Sequence, residues 1–375
     1  MAAPLQLSGG RAAGGGGRAA GGRGGLGRAA RITLVAAGGI LVAVSCLVGS
    51  EPISAGTVGR IFLHEVTGGA FPLGACGSGA VGCSSLVVIV WDVRIPAILL
   101  ALGVGASLGL SGATLQGIFR NPLADPYLLG LSSGATVGVA VLFVLNIGLA
   151  AANVTLPFLA FVGAIATGGV ILLAAGRPGS SIETLLLTGV ALSALLSAVL
   201  SFLLLYNPFG NLEVSYWLLG GLFGATWNRD GIVFGGLLVT GALVGLFGRS
   251  LNLLQLGPEV AQSLGVDGRR VRARLLLLAS FATALAVAFA GVIGFVGLVS
   301  PHVVRRLVGP DYRKVLPGSA LVGAAFLLCA HDLSQIVLPG SVLPVGIFTS
   351  FAGAPFFLYL LYRQRHLETF GRGRA

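Results

Sequence analysis

The chain has 375 residues, of which 55% are hydrophobic and 9% charged, with a formal net charge of +11. Soluble domains carry roughly a quarter charged residues, so this composition excludes a soluble fold. The basic residues lie between and outside long apolar runs rather than on one compact face, which argues for membrane orientation and against nucleic acid.

Residues 1–31 hold Arg11, Arg18, Arg23, Arg28 and Arg31 in a Gly/Ala background without an acid or an aromatic residue, the composition of a disordered basic cytoplasmic tail. A cleaved signal peptide extending through Ile32–Ser50 is the rival reading, and its apolar part exceeds the usual run of about 7 to 15 residues. Charge-free runs then predict helices near 32–50, 95–117, 127–147, 154–175, 184–206 and 231–248. Each is near the about 20 apolar residues that a bilayer crossing takes. Strand alternation is absent, so helices rather than a barrel satisfy the backbone. Six crossings return the chain to a basic segment, 249–274, with Arg249, Arg269, Arg270, Arg272 and Arg274.

The apolar stretch Leu275–Val304 is basic on both flanks, since Arg305, Arg306, Arg313 and Lys314 follow it. It therefore predicts a long helix out, near 275–292, and a short eighth helix back through GVIGFVGLVSPH, its irregular backbone sheltered by protein or a water-filled path. Helices near 316–335 and 344–362 complete about ten. The expected organisation is an all-α polytopic membrane domain over 32–362, followed by a cytoplasmic tail over 363–375. Of the 23 Lys and Arg, only Arg60, Arg94 and Arg229 fall on the outer side, which puts both termini, 249–274 and 305–314 inside and the segments 51–93 and 207–230 outside. The 61 glycines imply close helix packing, with Gly105/Gly109 and Gly241/Gly245 as candidate contact pairs.

Little in the chain suggests catalysis. A P-loop needs GxxxxGK followed by Ser or Thr, whereas Lys314 follows Arg313 and precedes Val315. His64, His302, His331 and His366 are isolated, without a metal-ligand spacing, so no metal site is expected. His331 and Asp332 alone lie near a membrane helix without a loop context. Cys76 and Cys83 share the Gly-rich GACGSGAVGC, where either a disulfide or two free thiols fits.

Six strings occur in order: RIPAILLALGVGASLGLSGATLQGIFRNPLADPYLLGLSSGA from Arg94, LLLTGVALS from Leu185, YWLLGG from Tyr216, LNLLQLGPEVAQSLGV from Leu251, GFVGLVSPHVVRRLVG from Gly294 and LPVGIFTSFAGAPFFLYLL from Leu343. Together they resemble the FecCD-type permease family of ATP-binding-cassette importers, whose cargoes include iron-siderophore complexes and cobalamin. The resemblance runs from about Ile32 to Leu361. Read alone, Leu251–Val266 is a cytoplasmic apolar stretch too broken to span, suited either to a protein groove or to the inner membrane surface. The resemblance implies two short coupling helices joined at Gly257 and Pro258 and docked on an ATPase subunit, with Leu251, Leu253, Leu254, Leu256, Glu259, Val260, Ala261, Leu264 and Gly265 as further contact residues.

It also implies a docking site for an extracytoplasmic substrate-binding protein at Arg94 and Gln335, although Arg94 equally fits a snorkelling interfacial arginine. Here the chain departs from the family pattern, since Ala97 replaces a frequent arginine, Gln335 stands where arginine is common, and Val342 replaces the usual acid. The implied substrate path lies between two permease copies, as homodimer or heterodimer, with a neck at Ile182, Glu183 and Leu187. Glu183 equally fits a charge favourable to its helix N-terminus. The implied partners are ATPase subunits, which hold the ATP and Mg, the binding protein, a second permease copy and membrane lipid, with no nucleic acid and no cofactor on this chain. The implied residence is the bacterial cytoplasmic (inner) membrane. Iron-siderophore or similar chelate import is the expected function; a cobalamin or haem permease and an ion-coupled secondary transporter are the alternatives.

Overall fold

The computed structural model describes residues 28–49, 51–73, 82–145, 152–175, 182–206, 211–338 and 341–372. Among the described residues every regular element is helical: α1 (Arg28–Ser45), α2 (Ala55–Val66), α3 (Cys83–Val87), α4 (Ile95–Phe119), α5 (Leu131–Val144), α6 (Ala152–Ala175), α7 (Ile182–Tyr206), α8 (Asn211–Leu218), α9 (Trp227–Leu246), α10 (Gly248–Gln255), α11 (Pro258–Ser263), α12 (Gly268–Ala290), α13 (Val296–Val308), α14 (Tyr312–Ile336) and α15 (Val345–Arg372). A π-helical stretch, Val88–Arg94, joins α3 to α4, and a 3-10 turn, Pro126–Leu129, precedes α5. Six stretches are long and apolar enough to cross a membrane, and α1, α5 and α15 contribute shorter apolar helices.

All ten expected crossings have a helix, but several boundaries move. The second begins at Cys83, and the continuous stretch of 37 residues at 1.5 Å per residue reaches about 55 Å, longer than the hydrocarbon core of a bilayer, about 30 Å. The seventh starts at Gly268, where Asp267 caps it by accepting from the backbone N–H groups of Arg269 and Arg270. Helix α1 reaches back to Arg28, and α15 continues to Arg372 through residues expected to form a tail. Three elements, α2, α3 and α8, lie in segments expected as loops. In α2 the apolar residues Val58 and Ile61 are buried while Arg60, His64 and Glu65 interrupt any continuous apolar run.

Helix α4 is buried along nearly its whole length and forms the centre of the bundle. Small residues let its neighbours approach: a Cβ on Gly105 would collide with the Gly323 carbonyl, on Gly109 with the Ser319 carbonyl, and on Gly112 with the Gly297 carbonyl. The pair Gly241/Gly245 has the same spacing and a different fate. Among the described residues, Gly245 has no neighbour within 4 Å of such a Cβ and Gly241 meets only Leu110 at 3.8 Å, so this face of α9 makes no close helix contact with them.

The chain turns from α12 into α13 through unwound backbone. Gly291 at φ 68° and Phe295 at φ 67° bracket it. Tyr127, from the turn before α5, shelters it: its hydroxyl donates to the Ile293 carbonyl at 2.7 Å and accepts from the Ile293 N–H at 2.8 Å. Gly221 N–H donates to the Ala290 carbonyl at 2.9 Å, so protein rather than lipid satisfies this segment.

Candidate coupling surface and outer pocket

The segment 248–266 folds as two short helices, with the break between them at Gly257, whose φ of 114° a side chain would strain, and Pro258 at the first turn of α11. Their apolar residues divide between two directions. Leu251, Leu254 and Ala261 are buried and join the core that includes Ile118, Leu275 and Val315, with Leu253 packed partly against it. Leu256, Val260 and Leu264 are 62%, 43% and 57% exposed and face away from the bundle, beside the exposed Glu259. Gly265, at φ 81°, turns the chain toward Asp267 and α12.

The inner face is also held by polar contacts. Asn252 Nδ2 donates to Asp311 Oδ1 at 2.7 Å, and Asn252 Oδ1 accepts from the Tyr312 N–H at 2.9 Å. The Asn252 amide, then the Arg313 N–H, hold the Asp311 carboxyl below the usual range against a small burial penalty. Asp267 is likewise held low, first by the Arg270 N–H. Its exposed ion pair with Arg270, at 3.0 Å, adds little.

Residues 37–363 match the FecCD transport family. The chain belongs to that family. It is 41% identical to the cobalamin import system permease protein BtuC of Halobacterium salinarum, over 89% of this chain and 96% of the relative. It is also 41% identical to the hemin transport system permease protein HmuU of Yersinia pestis, over 74% and 84%, and 38% identical to the Fe(3+)-citrate import system permease protein YfmE of Bacillus subtilis, over 74% and 83%. Among solved structures it is similar to one described as an inward-facing conformation of a metal-chelate type ABC transporter, with TM-score 0.75, 28% identity and coverage of 88% and 98%. FecCD chains of this kind are permease subunits rather than catalysts, and this one is a multi-pass membrane protein.

In this FecCD permease, Arg94, Gln335 and Val342 line one pocket together with Ala97, Phe223 and His331. Arg94 is only 5% exposed. Its guanidinium donates to the Cys46 carbonyl at 3.1 Å and the Glu51 carbonyl at 2.9 Å, fastening the exit of α1 to α4 rather than standing as a free charge. Gln335 Nε2 lies 2.7 Å from His331 Nε2, one turn away on α14. Asp332, the intramembrane acid that the sequence singles out, accepts from Ser45 Oγ at 2.6 Å and so ties α14 to α1.

Of the neck residues, Ile182 opens α7, while Glu183 and Leu187 are exposed, Leu187 to 68%. Leu195, Phe202 and Leu205 continue that uncovered face toward the other end. Cys83 begins α3 and is disulfide-bonded; Cys76 lies outside the described residues. Sequence reasoning missed Tyr127, Asn252 and Ser45 as functional neighbours. None of the three carried a signal of its own, since even Asn252 is one of several polar residues in its string, with Gln255, Glu259, Gln262 and Ser263.

Proposed function

We propose that the chain is the membrane-spanning subunit of a binding-protein-dependent, ATP-driven importer that moves a metal chelate inward. The observation that carries this reading is the exposed apolar strip Leu256, Val260 and Leu264 on two short helices whose opposite face is built into the bundle. Such a strip belongs against protein, and the flanking basic residues put it on the cytoplasmic side, where an ATPase subunit with its ATP and Mg would dock. The permease itself moves by alternating access. Its path lies between two copies, bounded by the uncovered face of α7, with Ile182, Glu183 and Leu187 at the neck. Both termini are cytoplasmic in the inner membrane.

Relatives named for cobalamin, hemin and ferric citrate share one kind of cargo, a large metal chelate, and an iron-siderophore complex is the reading we favour. Selectivity among chelates then belongs to the external binding protein, which docks over the outer pocket near Gln335. The test is Leu256→Asp with Leu264→Asp. Each apolar side chain lost from a groove costs about 1.5 to 3 kcal/mol, so the double variant should insert normally yet fail to co-purify its ATPase. Retained co-purification would contradict the reading.

A further inference from the structure

The coupling helix α10 is joined to three membrane helices by a closed ring of side-chain contacts. From α10, Gln255 Nε2 donates to the Gly117 carbonyl at the inner end of α4 at 2.9 Å. The neighbouring Gln116, 1% exposed, accepts from Arg305 Nη1 of α13 at 2.6 Å and donates through Nε2 to the Gly297 carbonyl at 3.3 Å. Arg305 in turn lies over the Tyr312 ring, 5.7 Å from its centroid, with Nη2 donating to the Tyr312 hydroxyl at 3.4 Å. Tyr312 opens α14, and its N–H donates to Asn252, which closes the circuit on α10. The ring is also tight: a Cβ on Gly117 would sit 2.8 Å from both Leu251 Cδ2 and Tyr312 Cε1.

A second group of helices is packed on itself. Gly134 of α5 meets Gly163 of α6 backbone to backbone, and Gly138 meets the Leu159 carbonyl. Gly130, before α5, packs against Ser193 of α7, the helix that carries the neck.

We propose that Asn252, Gln255, Gln116 and Arg305 are positioning residues that lock α10 to the inner ends of α4, α13 and α14. A push on α10 then moves these helices as one block against α5, α6 and α7. Resting on the importer reading above, this inference adds which side chains carry the motion and which helices move. A block of this kind needs a demonstrated two-state displacement that both ends bias.

The experiment uses the full permease assembled with its ATPase in nanodiscs, with Cys46→Ser and Cys329→Ser and spin labels on Lys314→Cys of α14 and Leu187→Cys of α7. The label separation is measured without nucleotide and after trapping with ATP and vanadate, so no cargo is required. The wild-type ring should give a distinct shift between the two states. Gln255→Glu, which turns an acceptor toward the Gly117 carbonyl, and Asn252→Asp, which sets two carboxylates face to face, should retain the ATPase and its turnover yet lose the shift. The reciprocal pair Asn252→Asp with Asp311→Asn puts a donor opposite an acceptor again and should restore it.

A wild type without a shift, single variants that shift normally, single variants that lose the ATPase or its turnover, or a reciprocal pair that stays silent would each overturn the proposal. Failure of the wild-type permease to hold any ATPase would instead overturn the importer reading itself.

Discussion

Gly109 has no room for a methyl group, because the Ser319 carbonyl occupies the space a Cβ would take. Gly109→Ala should therefore push α4 from α14 and cost about 1 to 3 kcal/mol, lowering the Tm of the detergent-solubilised permease. Gly245→Ala meets nothing within 4 Å among the described residues and should be neutral or stabilising by up to about 1 kcal/mol, from helix propensity. Equal Tm changes in the two variants would refute this difference. Both glycine pairs look the same in the sequence because spacing records a shared helix face without recording what covers it. Asp311 adds a pH dependence at the same scale. Its folded pKa is depressed, so its contribution is present above the unfolded value and is lost as pH falls through the folded one. The Tm gap between wild type and Asp311→Asn should be full at neutral pH and shrink below about pH 4; a gap that widens in acid would contradict the assignment.

The two short helices α10 and α11 were legible as elements, since Gly257 and Pro258 mark the break in a stretch too polar to span. Their faces were not legible. Helices of 8 and 6 residues make too few turns for apolar periodicity to separate Leu251 and Leu254, which are buried, from Leu256, which is not. The consequence is a split in phenotype: Leu251→Asp should deplete folded permease, whereas Leu256→Asp should leave it folded and weaken ATPase binding, as read by size-exclusion chromatography and pull-down. Glu259→Ala should have a mild effect, because one exposed charge contributes little. The buried Ala261 also cannot serve as a surface probe, so the exposed Gln262 is the position for a cysteine that only cytoplasmic reagent should label. Labelling of Gln262→Cys from outside intact cells would contradict the orientation. The helices α2 and α8 escaped notice because Arg60, His64 and Glu65 in the first, and Glu213 in the second, break the apolar runs by which membrane segments are found.

For the whole molecule, composition alone made a multi-pass membrane protein legible, while the orientation expected from charge asymmetry awaits the labelling experiment above. The unwound return before α13 was also legible, because basic residues on both flanks of Leu275–Val304 require an even number of passes. What shelters that return was not, since Tyr127 and Ile293 are brought together only by the fold. The same holds for Arg94, whose place at the head of α4 suggested an exposed charge and whose guanidinium instead fastens the exit of α1. Energy supply is the property on which the functional account stands, because the runner-up, an ion-coupled carrier, could share the helices and the pocket. Purified permease, ATPase and binding protein should be reconstituted in proteoliposomes and tested with radiolabelled ferric-siderophore, hemin and cobalamin, with ATP supplied on the ATPase side and no ion gradient imposed. The account predicts accumulation of at least one chelate that requires ATP and is lost in Leu256→Asp with Leu264→Asp; accumulation that ignores ATP and follows a proton or sodium gradient would contradict it.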